Sequence, residues 1–228
     1  MTAPSVSVVM AVRDGASRLA DAVASIRAQT VPVREILLID GRSTDGTAAL
    51  GEALGLTVLA QRGATLADAY NEGVAAASGD HVAFLSYDDR WLSAKTERQL
   101  ARLAAAPPAD AVVGLAEFVV EDGDVAPSGF RRELLDAPRP ARIMETLLAP
   151  RATFERVGPF RPEVSPADDV DWYVRASELG LHVAVVDEVV LRKRVHAGST
   201  AHRSVDATHA HLLRTLHDSI RRRREAQA

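Results

Sequence analysis

The chain contains no cysteine. That excludes a disulfide framework, thiolate catalysis and cysteine-held zinc or iron–sulfur centres. Lysine is nearly as scarce: Lys95 and Lys193 stand alone against a background of arginine. Aromatic residues make up 4% of the chain, too little for a platform on which nucleic-acid bases stack. The formal net charge of -4 provides no basic field to draw nucleic acid or an acidic membrane. No apolar run approaches the roughly 20 residues a membrane span needs. The opening MTAPSVSVVMAVRDG has no basic leader and soon meets Arg13 and Asp14, unlike a signal peptide. These absences predict a soluble cytoplasmic protein, peripheral to a membrane at most. At 228 residues the chain is long enough for one domain that hides about 70% of its unfolded surface.

What is present is an alternation. Ser5 to Val12, Glu35 to Asp40, Thr57 to Ala60 and His81 to Leu85 are short apolar runs that predict buried strands. Between them Leu19, Val23 and Ile26 recur at helical spacing, and Thr44 to Leu54, Thr65 to Ala77 and Ser93 to Ala105 predict helices. Strands that alternate with helices imply parallel pairing in an α/β sheet covered on both faces. After Pro107 and Pro108 the pattern changes. Ala111 to Val120 predicts a strand, and Gly123 with Pro127 a hairpin. Residues 130–165 predict only short helices and loops. Asp168 to Leu179 predicts a helix, and His182 to Val195 two apolar runs interrupted by Asp187 and Glu188. Leu212, Leu216 and Ile220 recur at helical spacing near the end.

Ligands of open parallel sheets bind at the carboxyl ends of the strands, and acids collect there. Asp40 closes one strand; its carboxylate would accept hydrogen bonds from a ribose or base, or else cap the following turn. Asp88 and Asp89 follow another strand. As hard oxygen ligands they suit Mg²⁺ or Mn²⁺ beside phosphate oxygens, or they form an acidic turn. Asp168, Asp169 and Asp171 crowd one helix start, where negative charge is favourable. Adjacent acids also raise one another's pKa, as a general base requires. Arg192, Lys193, Arg194, His196 and Ser199 offer cations, an imidazole and a hydroxyl to a diphosphate, with His196 also a candidate metal ligand; a solvated loop is the alternative. Trp91, Tyr173 and Trp172 are candidates for stacking on a sugar, with core packing the commoner role for each.

Together and in this order, these segments resemble the family 2 glycosyltransferases, which have the GT-A nucleotide-sugar-binding fold. SVVMAVRDGASRLADAVASIRAQTVPVREILLIDGRSTDGT is similar to that family's first strand, helix and second strand. RGATLADAYNEGVAAASGDHVAFLSYDDRW is similar to the stretch leading into its DXD-type metal motif, with Asn71 and Gly73 in the expected helix. ATFERVGPFRPEVSPADDVDWYVRASELGL resembles the stretch holding the catalytic acid, and RKRVHAGST the closing Arg-x-His segment. The resemblance covers about residues 5–200. It implies one α/β domain over residues 1–203, a mostly parallel Rossmann-like sheet flanked by helices. Its nucleotide-sugar half would be 1–105, its acceptor and catalytic half 106–203, with a C-terminal helix over 204–228. That helix would pack on the domain itself or across a homodimer.

The resemblance also implies an inverting transfer from a nucleotide sugar, most simply a UDP-sugar, to an acceptor hydroxyl. That acceptor would be a saccharide, a lipid-linked sugar, a small molecule or a peptide. Val12, Arg13, Asp40, Arg62, Asn71, Ser86, Tyr87, Asp88 and Arg194 would contact the nucleotide. Asp88, Asp89 and His196 would hold a divalent Mn²⁺ or Mg²⁺, and Asp169, with Asp168 beside it, would be the base. The chain departs from the family pattern at Gly41 and Ser86, where acids are common, and at Tyr70, where an arginine is common and for which Arg62 or Arg194 would compensate. Asp168 replaces the usual glutamate. Ser86 and Gly41 motivate the alternative of a nucleotide-sugar-binding protein without transfer. A sugar-1-phosphate nucleotidyltransferase would want a glycine-rich loop after the first strand, which MAVRDGASR lacks.

Overall fold

The structure, a computed structural model, describes residues 4–165 and 167–198. Ser199, the expected C-terminal helix and the homodimer contact it would make lie outside these residues. The first half follows the alternation in the sequence. Strands β1 (Val6–Val12), β2 (Glu35–Asp40), β3 (Thr57–Ala60) and β4 (His81–Phe84) are joined by helices α1 (Ala16–Arg27), α2 (Thr47–Ala53) and α3 (Leu66–Ala76). The four strands pair in parallel, in the order β3-β2-β1-β4. Their side chains alternate between two covered faces, as a buried parallel sheet requires. Val8, Met10 and Leu38 face α1 and its neighbours Leu19, Val23 and Ile26. Val9, Leu37 and Ile39 lie in the opposite cluster with Tyr70 and Phe84. Gly73 lets α3 lie close to the sheet, because a Cβ there would meet Val9 Cγ1 at 2.3 Å. Thr65 and Asp68 close the start of α3 as a reciprocal capping box.

The second half extends the same sheet with mixed pairing. Strands β5 (Arg90–Trp91), β6 (Ala111–Val119), β7 (Arg139–Pro140), β8 (Leu148–Pro150) and β9 (Val183–Arg194) accompany helices α4 (Lys95–Ala104), α5 (Arg151–Val157) and α6 (Asp168–Glu178). The order continues β4-β8-β6-β9-β5, with β7 on β6. The result is a single-domain α/β fold with a mixed sheet flanked by helices. Several details differ from the sequence expectation. The two apolar runs around Asp187 and Glu188 are one strand, β9, parallel to β6, and the acids sit in a break in register between Val113 and Leu115. Gly123 does sit in a turn, with its φ at 86°. The strand returning against β6, however, is the distant β7. Trp91 lies in β5, short of the helix start at Lys95.

Candidate active site

The carboxyl ends of the strands form one rim. Val12, Asp40 and Ala60 stand in register. Gly41 N donates to Val12 O at 2.7 Å, and Gln61 N to Asp40 O at 2.9 Å. The loops after β1 and β2 are tied by side chains. Asp14 accepts from Thr44 N at 2.8 Å, Ser43 Oγ accepts from Asp14 N at 2.9 Å, and Thr47 Oγ1 accepts from Gly15 N at 2.8 Å. Asp14 and Arg42 both take left-handed backbone angles, φ 53° and 63°, which aims the two loops across each other. Gly15 is required where it stands: a Cβ there would meet Tyr87 Cγ at 2.7 Å. Tyr87 thus packs beneath the rim. Arg13 and Arg62 project into solvent, their side chains 75% and 86% exposed.

Asp40 Oδ2 accepts from Ser43 N at 3.2 Å, so it serves the following turn as one of its two expected roles. Its Oδ1 is buried and has no hydrogen-bond partner. A buried oxygen without a donor is costly, and a ligand N–H or O–H arriving at the rim would satisfy it.

Past β4 the chain enters a denser charged region. Asp88 Oδ2 lies 2.7 Å from His196 Nε2. Asp89 is buried and differs from its expected role as a metal ligand. Its Oδ2 accepts from Lys193 Nζ at 2.7 Å and its Oδ1 from Arg194 N at 3.0 Å, so both oxygens are spent on β9. Burial pushes the Asp89 carboxyl up to about 7, and the Lys193 ammonium opposes that rise. For Lys193 burial works against the charge, yet Asp89 and Glu145 outweigh it and its pKa is raised.

Ser86 stands where the family resemblance expects an acid. Its hydroxyl donates to Glu145 Oε1 at 2.7 Å. A carboxylate therefore does stand at this point, delivered from a 3-10 turn, Met144–Thr146, that lies 59 residues on. Glu145 also accepts from Lys193 Nζ at 3.1 Å. Burial would raise its pKa, but Lys193 and Ser86 hold it below the usual value. Sequence reasoning missed Glu145, a lone acid in a segment without periodicity.

Asp169 opens α6, and its Oδ1 accepts from Val170 N at 2.7 Å. Burial raises its pKa to about 7; Glu145 and Asp168 add to the rise, while the Val170 amide and Lys193 oppose it. Asp168 is buried and accepts from Ser165 Oγ at 3.3 Å. Asp171 is buried between Arg161 at 2.5 Å and Arg175 at 2.8 Å. Of three crowded acids, then, Asp171 anchors the helix through arginines and Asp169 carries a proton affinity near neutrality.

Other expected residues have different work. The Asn71 amide staples α3 to the segment after α5: it donates to Phe160 O and accepts from Phe160 N, each at 2.8 Å. That leaves its donor and acceptor faces committed away from a nucleotide. Tyr70 packs its ring against Phe84 and Phe160. Arg194 makes a two-pronged ion pair with Asp124 and lies 3.5 Å from Glu121; its guanidinium pins the turn after β6 instead of standing free for a diphosphate. Trp172 is in the core beside Phe154, Tyr173 is buried, and Trp91 Nε1 donates to Glu145 O at 3.1 Å. None of the three presents a ring for stacking.

The residues fit a divalent cation in part. Asp88 and His196 are an oxygen and a nitrogen donor within contact of each other. Among the described residues no three acids or histidines converge as a cage, so diphosphate oxygens and water would complete the shell, as is common for Mg²⁺.

This mixed sheet flanked by helices is similar in fold to GT-A glycosyltransferases. Residues 7–161 match the family described as Glycosyl transferase family 2, and the chain belongs to that family. It is 24% identical to an uncharacterized glycosyltransferase of Rickettsia prowazekii (strain Madrid E), over 89% of this chain and 68% of that one. Its fold is similar to S. aureus TarS in complex with UDP, with a TM-score of 0.65, 17% identity, and coverage of 85% of this chain and 61% of that chain. It is also similar to the mannosyltransferase PcManGT from Pyrobaculum calidifontis in complex with GDP-Man and Mn²⁺, with a TM-score of 0.69, 21% identity, and coverage of 97% and 65%. The chain thus spans about six tenths of these solved neighbours. Among the described residues no helix is long and apolar enough to cross a membrane.

Proposed function

We propose that this transferase moves a sugar from a nucleoside diphosphate sugar, most simply UDP-linked, to an acceptor hydroxyl with inversion. The observation that carries the reading is the Asp88–His196 pair at 2.7 Å; Asp169, whose carboxyl burial pushes up to about 7 and on which Glu145 and Lys193 both act, supports it. The nucleoside lies over Val12, Arg13 and Asp40, and the orphaned Asp40 Oδ1 accepts one of its N–H or O–H groups. Asp88 and His196 face the diphosphate. A divalent cation held by these two would offset the charge of the diphosphate, an effect of several kcal/mol. The acceptor oxygen approaches the sugar C1 from the side opposite the diphosphate. The new O–C1 bond forms as the bond from C1 to the phosphate oxygen breaks, and its electron pair leaves with the diphosphate. The acceptor proton passes to Asp169. The UDP and GDP-Man bound by the two structural neighbours support a nucleotide donor, and the Mn²⁺ of the second supports a cation.

The binding-only alternative rested partly on Ser86, and the Glu145 carboxylate beside it weakens that ground. The test is nucleotide release from a panel of UDP- and GDP-sugars with varied acceptors, with and without EDTA. Release that depends on acceptor and Asp169 supports transfer. Tight binding without release across the panel would return the chain to the binding-only reading.

A further inference from the structure

Glu145 is held from several sides. Its own carbonyl accepts from Trp91 Nε1 at 3.1 Å. The next two carbonyls, of Thr146 and Leu147, accept from Gln99 Nε2 at 2.7 Å and Lys95 Nζ at 3.3 Å. Lys95 is buried with its Nζ 4.4 Å over the Trp91 ring, and burial holds its pKa well below the usual value. Three successive carbonyls are thus clamped by β5 and α4, while the side chain is clamped by Ser86 and Lys193. The start of α6 is latched to the same segment, because Tyr173 OH donates to Ile143 O at 3.3 Å. Asp169 and Tyr173 are four residues apart on one helix and share a face. The face that carries the base is therefore the one turned to the Glu145 segment.

We propose that Glu145 is the positioning residue of the active site: clamped at its carbonyl and its carboxylate, it holds a fixed negative charge at the segment to which the Asp169 face of α6 is latched, with Lys193 as its counter-charge. The catalytic part of this rests on Asp169 being the base. A fixed carboxylate near a second carboxyl disfavours its ionisation. A base whose pKa lies near the working pH combines strength with availability. The charged and titratable groups coupled to Asp169 are Glu145 of the 3-10 turn, Lys193 of β9, and Asp168 and Tyr173 of its own helix, with Arg142 acting on Tyr173; Tyr70 of α3 responds to Glu145, Asp168, Asp169 and Asp89. Glu145 follows only burial among the influences that raise Asp169.

The test needs no acceptor. Protein labelled with ¹³C-aspartate is titrated by carboxyl NMR, and the Asp169 signal is assigned by its loss in Asp169→Asn. The wild-type midpoint should lie at about 7. Glu145→Gln should lower it by about 0.5–1 pH unit. Glu145→Asp, which keeps the charge, should restore most of the shift. Lys193→Met should move the midpoint the other way. A merely structural role for Glu145 would not produce shifts of opposite sign. An unmoved midpoint in a Glu145→Gln protein with a wild-type thermal melt overturns the proposal. If Glu145→Gln does not fold, an unmoved or lowered midpoint in Lys193→Met overturns it. Nucleotide release by Asp169→Asn separates the two readings: if turnover persists while the midpoints shift as expected, the base assignment falls and the electrostatic coupling stands.

Discussion

The two ends of the rim are built differently. At the nucleoside end, around Val12 and Asp40, charges are exposed and the loops are held by short hydrogen bonds among Asp14, Ser43, Thr44 and Thr47. At the reaction end, Lys193 bridges the carboxylates of Asp89 and Glu145 at 2.7 and 3.1 Å, and Glu145 and Lys193 act in opposite directions on the proton affinity of Asp169. On the proposed reading the first end would recognise by shape and an unmet acceptor, and the second would work by electrostatics fixed in advance of substrate, where low dielectric makes each charge count for more. Mutations should therefore separate binding from chemistry according to the end they strike.

The largest separation is expected at Asp169. Asp169→Asn should cut turnover by about 10²–10⁴-fold while calorimetry finds nucleotide affinity unchanged. The wild-type enzyme should show the same group through pH. The folded-state pKa is raised to about 7, so the protonated, inactive form dominates below it. kcat/KM should fall about tenfold per unit as pH drops below that midpoint; a flat profile down to pH 5 would sink the assignment.

Next comes stability. Asp171→Ala removes the buried carboxylate that Arg161 and Arg175 both engage at the start of α6 and should cost about 3 kcal/mol in a urea melt. Arg62→Ala at the exposed end should stay within about 0.5 kcal/mol. Equal losses would erase the contrast between the ends. Asp88→Ala should weaken nucleotide-sugar binding by about 10- to 100-fold, most of it visible only with Mn²⁺ present. The smallest effect is expected at Asp40. Asp40→Ala removes one acceptor and should raise KM by about fivefold with kcat unchanged. A fall in kcat there would mean that the nucleoside end takes part in chemistry after all.

The same division governs what the sequence discloses. β1, β2 and β4 are mostly apolar because both faces of a parallel sheet are covered, and a polar residue ends each strand or follows within two positions of its end. β5, β7 and β8 are two or three residues long, too short to carry any period. Asp169 was legible because three acids crowd one helix start. Glu145 was not, since what marks it is contact with Ser86 and Lys193, residues far away in the chain. Ser86 was the available signal: a position short of a carboxylate asks where another comes from. The family resemblance assigns Asn71 and Arg194 to the nucleotide, whereas their partners in the structure, Phe160 and Asp124, lie 89 and 70 residues away in the chain, where no local period points to them.

β9 runs beside β6 and delivers Lys193, Arg194 and His196 to acids 104 to 108 positions earlier in the chain. Contacts of such long separation form late, because loop-closure entropy must be met first. During synthesis, which proceeds from the N-terminus, the nucleoside end can fold while the reaction end still lacks its cations. Without β9, Asp89 and Glu145 would lack the Lys193 ammonium that both contact, and Asp88 its imidazole partner. The docking of that strand is therefore the step that would bring counter-charge to the acids.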